Sequence, residues 1–478
     1  VQERYSKVRV GLAGLGLEAY WSQFEGLEQR LAGYLAEVER LTAGERREIV
    51  NLGMVDSPER SLEAGHRARR EEIDILLLYV TTYALSSTVL PLIKRAKVPV
   101  ILLNLQPALA IDYARFNAMR SRAAMTGEWL AYCSSCPAPE IANVLRRLDI
   151  PLHQVTGMLH DDPECWQQVE EWMQAAEVVH ALGHSRLGLM GHYYGGMLDI
   201  ATDLTQVSGC FGLHIEMLEV DELSALKQAV EEEAAAAKIA EFRQFFDLGE
   251  DCPEPELLRA AKTSVALDRL VQSRDLDLLA YFYNGTGVPE NEDTMSSIIL
   301  GASMLNGRSV PAAGEYEVKN VIAMKIMDLL GMGGSFTEYY ALDFAADLVL
   351  MGHDGPGHIG IAQDRIKVRP LQVYHGKVGS GLSVEMSVRH GKVTLLSVVE
   401  EKERGFMLLI AEGESVPGEV LEIGNTNSRY RFPPGARAFV EAWNAHGPAH
   451  HCAIGVGHRA SSLEKVARLL DMRSVRVC

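Results

Sequence analysis

A chain of 478 residues is too long for one ordinary hydrophobic core, so two or three domains are expected. With 47% hydrophobic and 23% charged residues it reads as a folded globular protein rather than a disordered one. Its formal charge of −18 argues against the basic surfaces that nucleic acids and anionic membranes require. Seven scattered cysteines, an odd number, favour a reducing compartment over a disulfide framework. Residues 1–7 are polar, and 8–15 are too short and glycine-rich for a membrane span. The expectation is a cytoplasmic protein without a secretory leader.

In chain order, residues 8–12, 49–55, 73–80 and 98–105 are near-continuous apolar runs, as strands buried on both faces should be. Helical patterns at 24–41, 57–70 and 86–97 separate them, the second opened by Asp56-Ser57-Pro58 as cap and first turn. Such alternation implies a parallel sheet with right-handed crossovers. Gly11-Leu-Ala-Gly14-Leu-Gly16 reads as a tight strand-to-helix turn, since its spacing is not that of the dinucleotide fingerprint. Cys133-Ser-Ser-Cys136 has no second CxxC, and is read as a loop before a helix starting near Pro139. Trp166 and Trp172 lie on a helix over about 163–182 that closes the first domain.

A second α/β unit starts with a strand at 186–190 feeding Gly191-His192-Tyr193-Tyr194-Gly195-Gly196-Met197, where glycines give backbone amides room beside a ligand. Strands are expected at 213–218 and 278–283, a long helix at 221–246 with the solvated run Glu231-Glu232-Glu233, and a helix after the loop 251–255. From 366 onward, alternating runs at 371–378, 381–389, 393–400 and 407–412 separated by glycine turns read as antiparallel strands. Helices at 437–445 and 461–470 flank His450-His451. The fold class is therefore α/β, with two Rossmann-like parallel-sheet domains (1–180 and 181–335) and a β-rich antiparallel barrel domain (336–478).

The stretch 314–353 carries the chemistry. Glu315 and Glu338 sit at opposite ends of an apolar helix at 318–330, so both are expected in turns. A β-like run at 346–351 ends in Gly352-His353, and His450-His451 lies far downstream. Carboxylates and imidazoles at element ends, beside glycines, suit ligands converging on one divalent ion: Glu315, Glu338, His353 and His451. Without thiolate in the set, a structural zinc is disfavoured. Mn²⁺ or Mg²⁺ fits, with Co²⁺ or Ni²⁺ as substitutes. Alternatives stay open: Glu317 competes with Glu315, Asp354 and His358 with His353, and His450 with His451.

These stretches resemble the L-arabinose isomerase and L-fucose isomerase superfamily. The arabinose branch carries Gly-Glu-Gly-Asp before a helix, Ser-Phe-Met-Glu-Asp-Tyr, a strand ending in histidine, and Ala-His-His. The matches here are Gly314-Glu315-Tyr316-Glu317, Ser335-Phe336-Thr337-Glu338-Tyr339-Tyr340, the run 347–353 ending in Gly352-His353, and Ala449-His450-His451. The fucose branch has Ala-Asn-His before an Ile-Gly-His motif, similar to Ala449-His450-His451 and the run 454–458 ending in His458, which implies His451 as the ligand. The resemblance implies Mn²⁺ held by two glutamates and two histidines, with Glu315 and Glu338 also the acid/base pair. It further implies three domains, and trimers or hexamers with active sites between subunits. Met197 resembles a substrate-contacting methionine of the arabinose branch.

Departures lie where the sugar is read. Residues 13–20 replace that branch's Gly-Ser-Gln-His-Leu-Tyr-Gly, and Met125-Thr-Gly-Glu-Trp129 stands in the region of its Thr-Ala-His-Gly-Gly. Glu18, Tyr20, Trp129, His192 and His358 join Met197 as candidate substrate contacts. The leading expectation is a metal-dependent aldose-ketose isomerase for a free pentose or 6-deoxyhexose-type sugar. A metal-dependent lyase or epimerase and a non-catalytic sugar binder are the alternatives.

Overall fold

The computed structural model describes residues 5–250, 252–285, 287–372 and 380–478. Of the expected strand at 371–378, residues 373–378 lie outside the described residues. The chain forms two compact units, residues 2–180 and 181–478.

The first unit holds a parallel sheet of β1 (Val8–Leu15), β2 (Arg47–Val55), β3 (Ile75–Val80), β4 (Val100–Gln106) and β5 (Leu152–Met158), in the order β2-β1-β3-β4-β5. Every residue of β3 is buried, which explains its uninterrupted apolar sequence. The helix Pro58–Arg70 starts as expected, with Ser57 Oγ accepting from the Arg60 amide and proline in the first turn. The outer strand β5 was not foreseen, because an edge strand with only Val155 buried shows no apolar run.

Gly11 and Gly14 correct another expectation, lying inside β1 rather than in a turn. A Cβ on Gly11 would come within 2.5 Å of Ile73 Cδ1, and one on Gly14 within 2.6 Å of Met54 Sδ. These glycines permit close side-chain packing. The CxxC lies ahead of the helix Pro137–Arg147, two residues earlier than expected.

In the second unit, β6 (Arg186–Gly191), β7 (His214–Leu218), β9 (Leu278–Phe282) and β10 (Ala312–Ala313) form a parallel sheet in the order β10-β9-β6-β7. A short β8 (Phe246–Leu248) pairs with β13 (Ile366–Gln372), which pairs with β14 (Ser380–Glu385). The helix expected at 221–246 is two helices, Val220–Gln228 and Glu232–Phe245. The break buries Val230, while Arg269 donates to Ala229 O and Glu231 Oε2. Glu231, Glu232 and Glu233 are exposed, as expected.

The remaining strands are β11 (Ser335–Asp343), β12 (Leu348–His353), β15 (Gly391–Glu401), β16 (Gly405–Val416), β17 (Thr426–Arg431), β18 (His451–Val456) and β19 (Arg473–Arg476). They pair in the order β15-β18-β11-β12-β17-β16-β19, antiparallel apart from β16 with β19, and β15 also pairs with β16. The β-rich region therefore begins before residue 366, because β11 and β12 lie at the middle of its sheet. The helix Val318–Leu329 packs on both this sheet and β9. It is buried nearly all round, including Lys319, Asn320 and Lys325, which is why its sequence shows no polar face.

Candidate metal centre

Glu315 follows β10 at the carboxyl end of a parallel strand, where backbone turns away from the sheet and leaves room for a ligand. Glu315 and Tyr316 both adopt left-handed backbone, with φ of 57° and 61°. Non-glycine residues there cost roughly 1–3 kcal/mol each and persist only when their surroundings hold them. Here the Tyr316 amide donates to Tyr281 O at 3.0 Å, the Glu317 amide to Gly314 O at 3.1 Å, and the Tyr316 ring packs edge-on against Tyr193. The turn aims the buried Glu315 carboxylate at two imidazoles. His451 Nε2 lies 3.3 Å from Oε2 and His353 Nε2 3.9 Å from Oε1.

The sheet brings the other groups in. Glu338 lies within β11, not in a turn as expected, because it is paired with both β18 and β12 and follows the buried, β18-paired Phe336 and Thr337. In register it stands opposite His451 of β18 and Gly352 of β12. Gly352 admits no side chain, since a Cβ there would meet Thr426 O at 1.8 Å. His353, the last residue of β12, is clamped by Thr426, whose Oγ1 accepts from the His353 amide and donates to its carbonyl, both at 3.0 Å. The Phe336 ring packs against both imidazoles, 4.2 Å from His353 and 4.4 Å from His451, while the imidazoles meet each other edge-on at 5.2 Å.

Carboxylates also back the histidine pair. His451 Nδ1 lies 3.4 Å from Oε2 of the fully buried Glu317, and His450 Nδ1 lies 2.6 Å from Asp199 Oδ2, which also accepts from the His450 amide. A carboxylate on one ring nitrogen turns the other toward a metal. Ligand atoms of Glu315, His450 and His451 lie within 4.8 Å of one another. Oε2 of Glu315 is buried without a hydrogen-bond partner although His451 is near, so the acceptor faces a space a cation fits.

Burial pushes Glu317 up to about 8, against the pull of Lys319. It pushes Glu338 up to about 7, with His450 opposing and Glu315 and Asp354 reinforcing. Asp199 falls below the usual range because hydrogen bonds from His450 outweigh its burial.

Of the other candidates, His192 is exposed, with Nδ1 2.8 Å from Tyr193 O and its ring edge-on to Phe282. Met197 precedes the short helix carrying Asp199 and is partly buried. His358 is buried, accepts from the Gly360 amide, and is pushed down to about 4 by burial. Glu18, Tyr20 and Trp129 belong to the first unit, Glu18 and Tyr20 in one helical turn and Trp129 about half exposed. Sequence reading missed Asp199, for which no motif gave a signal, and the packing of Phe336 on both imidazoles, although Phe336 stands inside the quoted motif.

Residues 333–473 match the family model of the L-arabinose isomerase C-terminal domain. L-arabinose isomerase of Aeromonas salmonicida (strain A449) is 24% identical over 340 residues, covering 69% of this chain and 66% of that protein. The enzyme of Bifidobacterium longum (strain DJO10A) is 22% identical over 351 residues, covering 69% and 67%. The chain thus spans about two thirds of the length of these relatives. A tagatopyranose-bound solute binding protein from Agrobacterium vitis is 13% identical over 64% of this chain and 93% of that one, with a TM-score of 0.14. The fold is α/β with a β-rich C-terminal region, and that region matches the C-terminal domain of L-arabinose isomerases. By these comparisons the chain is arabinose isomerase-like.

Proposed function

We propose that this chain is a metal-dependent isomerase interconverting the aldose and ketose forms of a free pentose or 6-deoxyhexose-type sugar. One observation carries the reading: Glu315, on a strained and pinned turn, meets imidazoles from two other strands, with Glu338 in register beside His451. Four separate segments supply these groups, which a merely structural carboxylate does not need.

Glu315, Glu338, His353 and His451 would hold Mn²⁺, or Mg²⁺ or Co²⁺ in its place, with His450 the competing imidazole. Oxygen and nitrogen donors without thiolate fit such ions. When bound, the ion supplies a Lewis acid that polarises adjacent oxygens of the sugar. The chain's own residues do the rest. Glu315 and Glu338 form the acid/base pair that moves protons between neighbouring sugar atoms. Phe336 and Thr426 fix the imidazoles, and Glu317 and Asp199 set their orientation. A cytoplasmic homo-oligomer of three or six chains accompanies this reading. No described helix is long and apolar enough to cross a membrane.

The test is turnover on aldopentoses and 6-deoxyhexoses, before and after chelation and after Mn²⁺ is restored. Ketose formation that vanishes with chelator and returns with Mn²⁺ is expected. No turnover despite one bound ion per chain would move the chemistry to a lyase or epimerase.

A further inference from the structure

Two cavities flank the carboxylates of the centre. A small one of about 40 Å³ is lined by Glu315, His353, Tyr281 and Phe282 among others. A groove of about 570 Å³ is lined by Glu338, Tyr340, Leu350, Leu421 and Ile423 among others. Asp354 is the one described side chain that lines both.

Its surroundings mark it out. Asp354 is partly buried, and none of the described residues gives it a hydrogen bond or an ion pair within 4 Å. Its backbone is nonetheless firmly held. On one side Thr426 clamps His353; on the other, Asn306 Nδ2 donates to Gly357 O at 2.9 Å and the Gly357 amide donates to Ser303 Oγ at 3.1 Å. A carboxylate without a protein partner among the described residues, carried on a held loop and lining two cavities, is available to accept hydrogen bonds from a guest.

We propose that Asp354 is a specificity-determining residue of the isomerase site, reading a substrate hydroxyl beyond the pair of oxygens at the metal. This rests on the isomerase reading and names its substrate class more closely. An ionised carboxylate only accepts hydrogen bonds, so it selects hydroxyl donors. A carboxylate's own negative charge at this position disfavours anionic guests. The groove's other wall, Leu350, Leu371, Leu421 and Ile423, offers an anion no countercharge among the described residues. Asp354 therefore selects neutral sugars over uronates and phosphorylated sugars.

The experiment compares the Mn²⁺-loaded wild type with D354N and D354A on free aldopentoses, 6-deoxyhexoses and the uronates glucuronate and galacturonate. Bound Mn²⁺ and thermal midpoint confirm intact variants. The expected result is a rise of roughly tenfold to a hundredfold in the uronate-to-aldose ratio of kcat/KM, carried mainly by higher KM for the aldoses. An unchanged ratio overturns the proposal, whether the rates fall uniformly or not at all. Wild-type turnover, read first, tests the isomerase reading separately. If no sugar is turned over, calorimetric binding of neutral pentitols against aldonates to the same three proteins decides the role of Asp354 by the same ratio.

Discussion

Two groups of buried and partly buried carboxylates in this chain are built on opposite principles. In the N-terminal unit, Arg47 donates to Glu177 at 2.5 Å and to both oxygens of Glu170 at 2.5 and 2.7 Å, while Arg46 reaches Glu177 at 2.9 Å. Guanidinium forks meet the carboxylates, and nothing is left over for a ligand. In the second unit, Glu315, Glu317, Glu338 and Asp354 have no lysine or arginine ion pair among the described residues; the ion pairs they do have are to His353 and His451. Buried anions facing imidazoles are costly unless a cation joins them. The contrast separates a cluster that holds the fold from one that awaits a guest, and it predicts different responses to mutation.

The largest expected effect is at the unpaired cluster. Glu338→Gln keeps shape and hydrogen-bonding capacity but removes the transferable proton, so turnover should fall by about 10³-fold or more while the thermal midpoint stays within a few degrees. Retained turnover would remove Glu338 from the acid/base pair and leave it as a strand residue.

The fold and the unpaired cluster were legible in the sequence in part, for physical reasons that differ by element, while the paired cluster gave no signal. β3 announced itself because both faces are buried; β5 did not, because only Val155 is buried. Glu315 and His353 were found because they stand beside glycines at element ends, where the sequence is punctuated. Glu338 was found from its place beyond the apolar helix but put in a turn, since a central strand paired on both sides and mixed in composition shows no clear alternation. Asp199 was invisible because its partner His450 is 251 positions away and their pairing is purely tertiary.

The next effect concerns stability. Removing Arg47 as Arg47→Ala leaves Glu177, whose side chain is 8% exposed, with Arg46 as its ion-pair partner and takes the guanidinium from Glu170, and should destabilise the N-terminal unit by about 1–3 kcal/mol. A drop of roughly 2–12 °C in its midpoint follows. The pH dependence has a definite sign. Burial would raise Glu170, but hydrogen bonds from Arg47 overcome it and hold the carboxyl below its usual value. That contribution is complete above the unfolded-state value and is lost as pH falls through the folded-state value. Acid should therefore destabilise the wild type more than Arg47→Ala, as paired urea titrations near neutral and acidic pH would show. Parallel curves would mean the pair is electrostatically silent.

The smallest effect tests which imidazole belongs to the centre. Asp199→Asn keeps an acceptor for the His450 amide but removes the charge that orients the ring. If His450 contributes a ligand nitrogen beside Glu315 and His451, Mn²⁺ affinity should weaken roughly tenfold to a hundredfold, the usual cost of losing a carboxylate behind a ligating histidine. His353 offers the contrast, because its main chain is fixed by Thr426 rather than by a carboxylate. Unchanged affinity in Asp199→Asn, measured by Mn²⁺ titration, would assign the second imidazole to His353. In that case the Asp199–His450 pair serves only to fasten the segment after Met197 to the start of β18, and Lys319, donating to the carbonyls of Asp199 and Ala201, completes the same fastening.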